Sequence, residues 1–495
     1  MIKAIREPNL ATKHAGFPYQ AEALDATKDL PFAAVLHEQG LGKTKIGIDL
    51  ALYWLESKIV DSVIIVTKRG LIQNWLDEFK FHTHIVPRLI SQDRRANFLA
   101  FNSPARVYLT HYEVLKSEES RLGLFLDTRK VAFVLDEAHK IKNPTAAISQ
   151  TLFRLAPLLT KRVIMTGTPV ANRPYDLWSQ IFFLDQGHSL GTDFEEFRED
   201  LDLSNDLARD PERVKAFEGR LAKVFDQIRP FSVRETKQGA DIQLPKKNFR
   251  TVSVELEARQ SELYEQYKHE FSSILLRNGQ PVLDDAEDSL KRLLRLVQVA
   301  SNPRLIDDSY HNSPGKLDAL YILVDEIMER GEKVIIWTSF TENVDWLARE
   351  FRLHGAVRIH GKLSYKQRTA SVKAFKGDPD CKILIATPAS AKEGLTLTVA
   401  NNAIFFDRGF SLDDYLQAQD RIHRISQNKD CTVTIMKAKN TIDEWVDELL
   451  RAKALAAQLA QGDISADDYQ RKAEYSFGDV IKDVLGFKQE VEEAL

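Results

Sequence analysis

Cysteine is almost absent from this sequence. Only Cys381 and Cys431 occur in 495 residues, far apart and each in an apolar, strand-like run. They can build neither a disulfide framework nor a zinc cluster, and a reducing compartment is expected. Long apolar runs are missing too, and none approaches the ~18 residues that would span a membrane. The opening residues, "MIKAIREPNL", lack the apolar core of a signal peptide. A cytoplasmic location is therefore expected, with a prokaryotic or viral-host cytoplasm favoured. There is no short repeat and no low-complexity tract. Neither sign of charge dominates: Lys+Arg is 68, Asp+Glu is 72 and the net charge is -4. That excludes a chain basic all over, yet leaves room for a local basic groove on an acidic body. What remains is the composition of a globular protein, 43% apolar and 28% charged. The length implies two or more domains, each with its own core.

The chain then shows an alternation. In the first half, "FAAVLHE", "SVIIVTK", "RVYLTHY", "VAFVLDE" and "RVIMTGT" are short β-branched runs separated by helical patterns. Such alternation predicts a parallel sheet covered by helices. Residues 1–229 form this first lobe, with a helical insertion at about 186–229. Residues 230–250 read as an inter-lobe connection, with Gly239 and Pro245 as breakers. Residues 251–314 read as a second helical insertion. From 315 to 450 the alternation resumes with "KVIIWTS", "AVRIHG", "KILIATP", "NAIFFD" and "CTVTIMK", and 451–495 is a helical tail that turns acidic. The expected fold is α/β, in two lobes with helical insertions near their junction.

The first lobe carries "HEQGLGKTK", His37 to Lys45. It ends like a phosphate-binding loop, but His37 stands where G-x-x-x-x-G-K-[ST] begins with glycine. The stretch lies between an apolar run and a helical pattern, so backbone N–H groups and a helix dipole could face a phosphate. In that reading Gly40 and Gly42 shape the loop, Lys43 holds the β- and γ-phosphates, and the Thr44 hydroxyl ligates Mg²⁺. A glycine turn with a surface lysine is the alternative. "VAFVLDEAHK" bears on the choice. Asp136 and Glu137 end a continuous apolar strand, where one carboxylate can hold Mg²⁺ through water and its neighbour can orient the attacking water. A plain acidic turn would leave the upstream Gly-Lys-Thr unexplained. Together the two stretches point to hydrolysis of ATP or GTP.

"DEAH", Asp136 to His139, is also the spelling of motif II in superfamily-two helicases, and "HEQGLGKTK" resembles the "DEMGLGKT" form of the Swi/Snf-type DNA translocases. That branch also lacks the first glycine, although it usually has Asp where His37 stands. Other stretches agree in order. "FPYQAEAL" resembles the adenine-reading Q motif, which makes Gln20 the base contact. "IIVTKRGLIQNWLDEF", with Asn74 and Trp75, resembles motif Ia. "TGTPVANRPYDLWSQIFFLD" resembles motif III, and the resemblance gives Gly167 and Thr168, with His139, a role in coupling the nucleotide site to motion.

In the second lobe, "YLQAQDRIHRISQ" resembles the family's motif VI, QAxDRxHRxGQ, with Gln417, Ala418, Asp420, Arg421, His423, Arg424 and Gln427 in place and Ser426 for glycine. Arg421 and Arg424 are three apart, so on a helix they would share one face. Two guanidiniums there suit the charge that develops on a γ-phosphate, and such fingers come from across a cleft, as two lobes allow. A solvated basic helix face is the alternative. Gln417 joins the coupling group. "ATPASAKEGLTLTVANNAIFFD" resembles motif V; Glu393 replaces a family glycine, while Gly394 is kept as a backbone contact to ATP. "VIIWTSF", "RIHGKLSYKQRTASVKAF" and "LRLVQVASNPRLI" with "SPGKLDAL" resemble further family stretches, so the likeness runs from about 17 to 450.

The resemblance implies two RecA-like lobes, ATP and Mg²⁺ as cofactors, and a monomer that grips the sugar-phosphate backbone of duplex or branched DNA without sequence preference. Its backbone contacts would be Lys68, Arg69, Thr110 and His111 in the first lobe, and Ser339, His360, Gly361 and Thr396 in the second. Cations, hydroxyls and loop N–H groups serve phosphate and carry no sequence information. The expected function is a DNA-stimulated ATPase that translocates on DNA and remodels forks, junctions or bound proteins. A strand-separating DNA or RNA helicase and a non-catalytic nucleic-acid-binding subunit are the other readings. The motor occupies nearly the whole sequence, so no appended histone-reading domain is expected within it.

Overall fold

The computed structural model describes residues 8–468 except 104, 171–172, 200, 202–210, 241–243, 278–279, 282–285, 392–396, 425–426, 462 and 465–467. Two compact units emerge. The first comprises Met1–Asp202, Ala216–Ile242 and Ala456–Asp468, and the second chiefly Gln243–Leu455.

The first unit is built on a seven-stranded sheet: β1 (Phe32–Val35), β2 (Ser62–Thr67), β3 (Arg88–Leu89), β4 (Val107–His111), β5 (Val131–Asp136), β6 (Lys161–Met165) and β7 (Ser232–Val233). The order is β3-β4-β2-β5-β6-β1-β7, with every pair parallel. Parallel neighbours need crossover connections, and helices supply them, so both faces are covered and the central strands can be apolar throughout. β2 and β5 are buried along their whole length. Alternate residues enter opposite faces. Val35, Val63, Ile65, Val134 and Met165 share one core with Ile46, Trp54, Trp75 and Phe79 from the helices Lys43–Glu56 and Ile72–His82.

The second unit repeats the plan. Its strands are β8 (Lys247–Val254), the short antiparallel pair β9 (Leu276–Arg277) and β10 (Gln280–Pro281), then β11 (Val334–Trp337), β12 (Val357–Ile359), β13 (Ile383–Ala386), β14 (Asn402–Phe405) and β15 (Cys431–Ala438). Six of them form a parallel sheet in the order β12-β13-β11-β14-β15-β8. Val334, Ile336, Ile383 and Ile385 face one core, and Ile335, Trp337, Leu384 and Ala386 face the other. Two parallel sheets flanked by helices are the two RecA-like lobes.

The stretch expected as a connection, 230–250, is largely strand at its ends. Ser232–Val233 pairs with β1 as an edge of the first sheet, and β8 begins at Lys247 as an edge of the second. β8 also takes residues 251–254 away from the expected helical insertion. It is mostly exposed and reads "KNFRTVSV", so no apolar run marks it. The insertion itself contains the helices Ala258–Leu275 and Ala286–Ser301. Between β6 and β7 lie the helices Asp176–Asp185, Phe194–Glu199 and Pro211–Ile228. The tail is helical in Ile442–Ala460, and its acidic end lies outside the described residues. Among the described residues no helix is long and apolar enough to cross a membrane.

Candidate functional site

The carboxyl ends of β2, β5, β6 and β1, neighbours at the centre of the first sheet, converge on one edge, where open α/β sheets bind ligands. The loop after β1 turns at Gly40 and Gly42, with φ of +87° and +67°. Glycine adopts these angles without steric cost. Gly42 has a second constraint, since a Cβ there would lie 2.5 Å from Gln20 Nε2. Gly42 opens the helix Lys43–Glu56, whose first N–H groups have no partner within the helix. Thr44 sits half-buried in that first turn. Lys43 Nζ donates to the carbonyls of His37 at 2.9 Å and Glu38 at 3.2 Å. Desolvation lowers its pKa to about 8, against the opposing pull of Glu137 and Asp136.

Gln20 was expected to read a base. Its carboxamide ties the start of its own helix to the loop: Oε1 accepts from Phe17 N at 2.9 Å, and Nε2 donates to Leu41 O at 3.1 Å. Gly167, just past β6, is a close approach. A Cβ there would meet Gln39 Cγ at 2.5 Å, Gln39 N at 3.0 Å and Lys43 Nζ at 3.1 Å. The loop after β6 therefore lies directly against the phosphate loop.

Asp136 ends β5, where it stands beside Met165 of β6, itself beside Val35 of β1. Asp136 Oδ2 accepts from Thr67 Oγ1 at 3.0 Å and Trp75 Nε1 at 2.8 Å, and Tyr112 OH donates to its carbonyl at 2.8 Å. Burial, then the charge of Glu137, raises its pKa to about 6. Both side-chain bonds fall on Oδ2, so Oδ1 is left for a ligand. Glu137 follows at φ +54°, a left-handed conformation uncommon for this residue type. Its Oε2 is 3.2 Å from His139 Nδ1.

His139 ties three loops together. Its Nε2 is 2.7 Å from Lys68 Nζ after β2, and its Nδ1 is 3.4 Å from Thr166 Oγ1 after β6. Thr166 Oγ1 in turn accepts from Thr168 N at 3.2 Å. The residues expected to couple, His139, Gly167 and Thr168, thus lie along one edge.

The expected backbone contacts of this lobe divide. Arg69 is exposed. Lys68 is half-buried against His139. Thr110 does not fit the expectation: it is 1% exposed and its hydroxyl donates to Ile90 O at 2.9 Å, because β4 carries it inside the sheet. His111 is buried, with Nδ1 2.8 Å from Glu113 Oε2.

In the second lobe the expected shared helix face of Arg421 and Arg424 does not form. The helix Leu412–Gln419 ends before them. Arg421 N and Ile422 N bond three residues back, to Ala418 O and Gln419 O, in a tightened turn. Gln427 Nε2 then takes Ile422 O and Ala400 O, both at 2.9 Å, and fixes that turn. Arg421 is buried, whereas Arg424 is half-exposed and its Nε donates to Asp420 O at 3.1 Å. Gln417 is buried and donates to Asp413 at 2.6 Å. Ser339 lines a pocket of about 190 Å³ with Thr387, Phe405, Arg408 and Tyr415, beyond the ends of β11, β13 and β14. His360 is buried with Nε2 3.1 Å from Asp345, whereas nothing approaches the Cβ position of Gly361 within 4 Å. Gly394 and Thr396 lie outside the described residues.

Other residues that were not named as site candidates shape these loops. Thr67 and Trp75 orient Asp136. Arg234, just after β7, donates to Leu36 O at the root of the phosphate loop, and Lys237 N donates to Glu38 Oε2 at 2.8 Å. In the second lobe the fully buried Lys316 donates to Phe406 O at 2.9 Å and pairs with Asp443 at 2.6 Å. The neighbouring Asp407 accepts from Thr338 and Ser339. Lys316 lies in "SPGKL", a stretch already noted for its resemblance.

Comparison with known proteins identifies a family. The SNF2-related domain model matches residues 33–305, and the helicase conserved C-terminal domain model matches residues 315–426. The human SWI/SNF-related matrix-associated actin-dependent regulator of chromatin subfamily A member 1 is 27% identical over 438 residues, 84% of this chain and 40% of that protein. An uncharacterized ATP-dependent helicase of Mycoplasma pneumoniae is 28% identical over 453 residues, 88% of this chain and 41% of that protein. The chain spans about two fifths of the length of these curated relatives. Among solved structures, a Sulfolobus solfataricus SWI2/SNF2 ATPase core in complex with dsDNA is 24% identical with a TM-score of 0.41, over 96% of this chain and 100% of that one. The first model alone covers more than half of the sequence, and the chain belongs to the SNF2-related domain family.

Proposed function

We propose that this chain is a DNA-stimulated ATPase that translocates on duplex or branched DNA through contacts to the sugar-phosphate backbone. One observation carries the reading: Lys43, Asp136, Glu137 and His139 meet at the edge of one sheet, and His139 is wired to Lys68 and Thr166 on the loops beside it. The residues fit a nucleotide with Mg²⁺. Two glycines of positive φ and a helix N-terminus cradle phosphate, and a buried carboxylate keeps one oxygen for a ligand. Mg²⁺ typically keeps several waters and takes one or two protein ligands with substrate phosphates, which suits Thr44 and Asp136. When bound it would neutralise charge on the phosphates.

Lys43 would exchange its two loop carbonyls for phosphate oxygens. Glu137, at the left-handed turn that ends β5, would accept the proton of the attacking water. Arg421 and Arg424 of the second lobe would stabilise the charge that develops on the γ-phosphate. His139 would report the state of Glu137 to Lys68 and to Thr166, and so to the polynucleotide-facing loops. The relatives named as helicases and chromatin regulators support the reading.

ATP turnover measured with and without duplex DNA tests it. Stimulation by duplex is expected, and no stimulation by any DNA would remove the translocase reading. Lys43→Ala and Glu137→Gln should each lower kcat by at least about 100-fold while the fold is kept.

A further inference from the structure

The helix Tyr365–Gly377 lies beyond the residues assigned above to nucleotide or DNA. From Gly361 to Gly377 the sequence "GKLSYKQRTASVKAFKG" holds five cations and no carboxylate, in a chain whose net charge is -4. Phe375 is fully buried and anchors one side of the helix. Lys366, Thr369, Lys373 and Lys376 follow at steps of three, four and three, so they form one stripe, and all four are exposed. At 1.5 Å per residue the stripe is about 15 Å long.

These lysines are not neutralised. Lys362 pairs with Glu342 at 2.6 Å. Among the described residues, Lys366, Lys373 and Lys376 have no carboxylate partner within 4 Å. Desolvation, then the charge of Arg424, lowers the pKa of Lys376. Lys366 also stands in the first turn, which has no acidic residue, and there a cation opposes the helix dipole. In the isolated fold the Lys366 charge opposes the helix dipole, and a bound polyanion would relieve it.

We propose that the stripe Lys366–Thr369–Lys373–Lys376 is a docking track for the phosphodiester backbone of duplex DNA. It extends the contact that begins at Gly361, and the proposal rests on the DNA reading above. The occupant follows from chemistry and continuity. His360 and Gly361 lead into the helix within five residues, so the exposed Gly361 and the stripe lie on one continuous segment. The face carries no Phe, Leu or Trp to enter a bilayer, as an interfacial helix would. A duplex presents one charge per ~1.7 Å, dense enough for each lysine to find a phosphate.

The test uses the full chain with Lys366→Ala, Lys373→Ala and Lys376→Ala combined, and the matching triple Lys→Arg variant. Binding of a blunt duplex is measured over a range of salt concentrations, with circular dichroism to check the fold. The Ala variant should bind about tenfold more weakly or worse. Its log–log salt slope should be shallower by about two to three, the counterions of three lost phosphate contacts. The Arg variant should restore both. An Ala variant with the slope and affinity of a DNA-binding parent overturns the stripe alone. A parent that binds no duplex overturns the DNA reading itself. Occupancy by polyglutamate in preference to duplex, lost in the Ala variant, would assign an acidic peptide and also overturn the proposal.

Discussion

His37 occupies the position where a Walker loop would begin with glycine, and its environment is unusual for a histidine. The ring is 2% exposed, and desolvation, then the charge of Lys43, lowers its pKa from 6.5 to about 4. Its backbone carbonyl is one of the two that hold Lys43. The ring is therefore neutral in the folded protein near pH 7, and a linkage follows. Above pH 6.5 neither folded nor unfolded chain binds this proton. Between 6.5 and about 4 the unfolded chain binds it and the folded chain refuses it, so stability falls as pH falls, by up to about 3 kcal/mol. His37→Gln, which cannot titrate, should show a weaker loss of Tm between about pH 7 and 5. Equal acid sensitivity in both proteins would show that the proton goes elsewhere. At this scale the sequence was most legible where chemistry needs a rare type in a fixed place, as at Lys43, Asp136 and Glu137. It was least legible where burial decides. Thr110 has the hydroxyl a phosphate contact needs, but alternation on β4 turns it inward. Thr67 and Trp75 lie in the stretch that resembles motif Ia, but nothing in that stretch tied them to Asp136, whose side chain they hold.

Elements were legible in proportion to their apolar content. Strands β2, β5, β11 and β13 announce themselves because both faces are covered. β7 and β8 do not, being a two-residue strand and a largely exposed one at the sheet edges. The end of the helix Leu412–Gln419 was hidden as well, because the turn that stops it is fixed from outside the helix by Gln427. The β7 segment nonetheless supports the loop after β1. Val233 O accepts from Leu36 N at 2.8 Å, and Arg234 donates to Leu36 O. The Arg234 guanidinium also grips both carboxylate oxygens of Asp463 at 3.0 and 2.6 Å, which fastens the stretch after the C-terminal helix to the same unit. A forked Arg–carboxylate pair is stronger than a single ion contact because two parallel bonds fix its geometry. Arg234→Ala should lower the stability of the first unit by about 2–3 kcal/mol in urea unfolding, the worth of one or two charged hydrogen bonds in a half-buried setting. Asp463→Asn, which keeps one acceptor, should cost less. A fully stable Arg234→Ala variant would show that β7 holds the loop root through its backbone bonds alone.

The whole molecule holds two units with separate cores; the loop at His37–Thr44 with Asp136 and Glu137 falls in the first, and Arg421 and Arg424 fall in the second. Two-state unfolding is an approximation for single domains, and a chain with two cores need not obey it. Calorimetry of the chain should resolve two transitions. A non-hydrolysable ATP analogue with Mg²⁺ binds folded first unit and not unfolded chain, so it should raise chiefly one of them. At about a hundredfold excess over Kd the gain is about 2.7 kcal/mol. The shift identifies which transition belongs to the first unit. Lys43→Ala should abolish it without moving the other transition, since the hydrogen bonds of Lys43 stay within its own loop, near Asp136 and Glu137 of the same unit. If a single transition moves as a whole, the two units unfold together, and the nucleotide already acts on both. If neither moves at saturating analogue, the loop at His37–Thr44 does not take a nucleotide, and the ATPase reading falls with it.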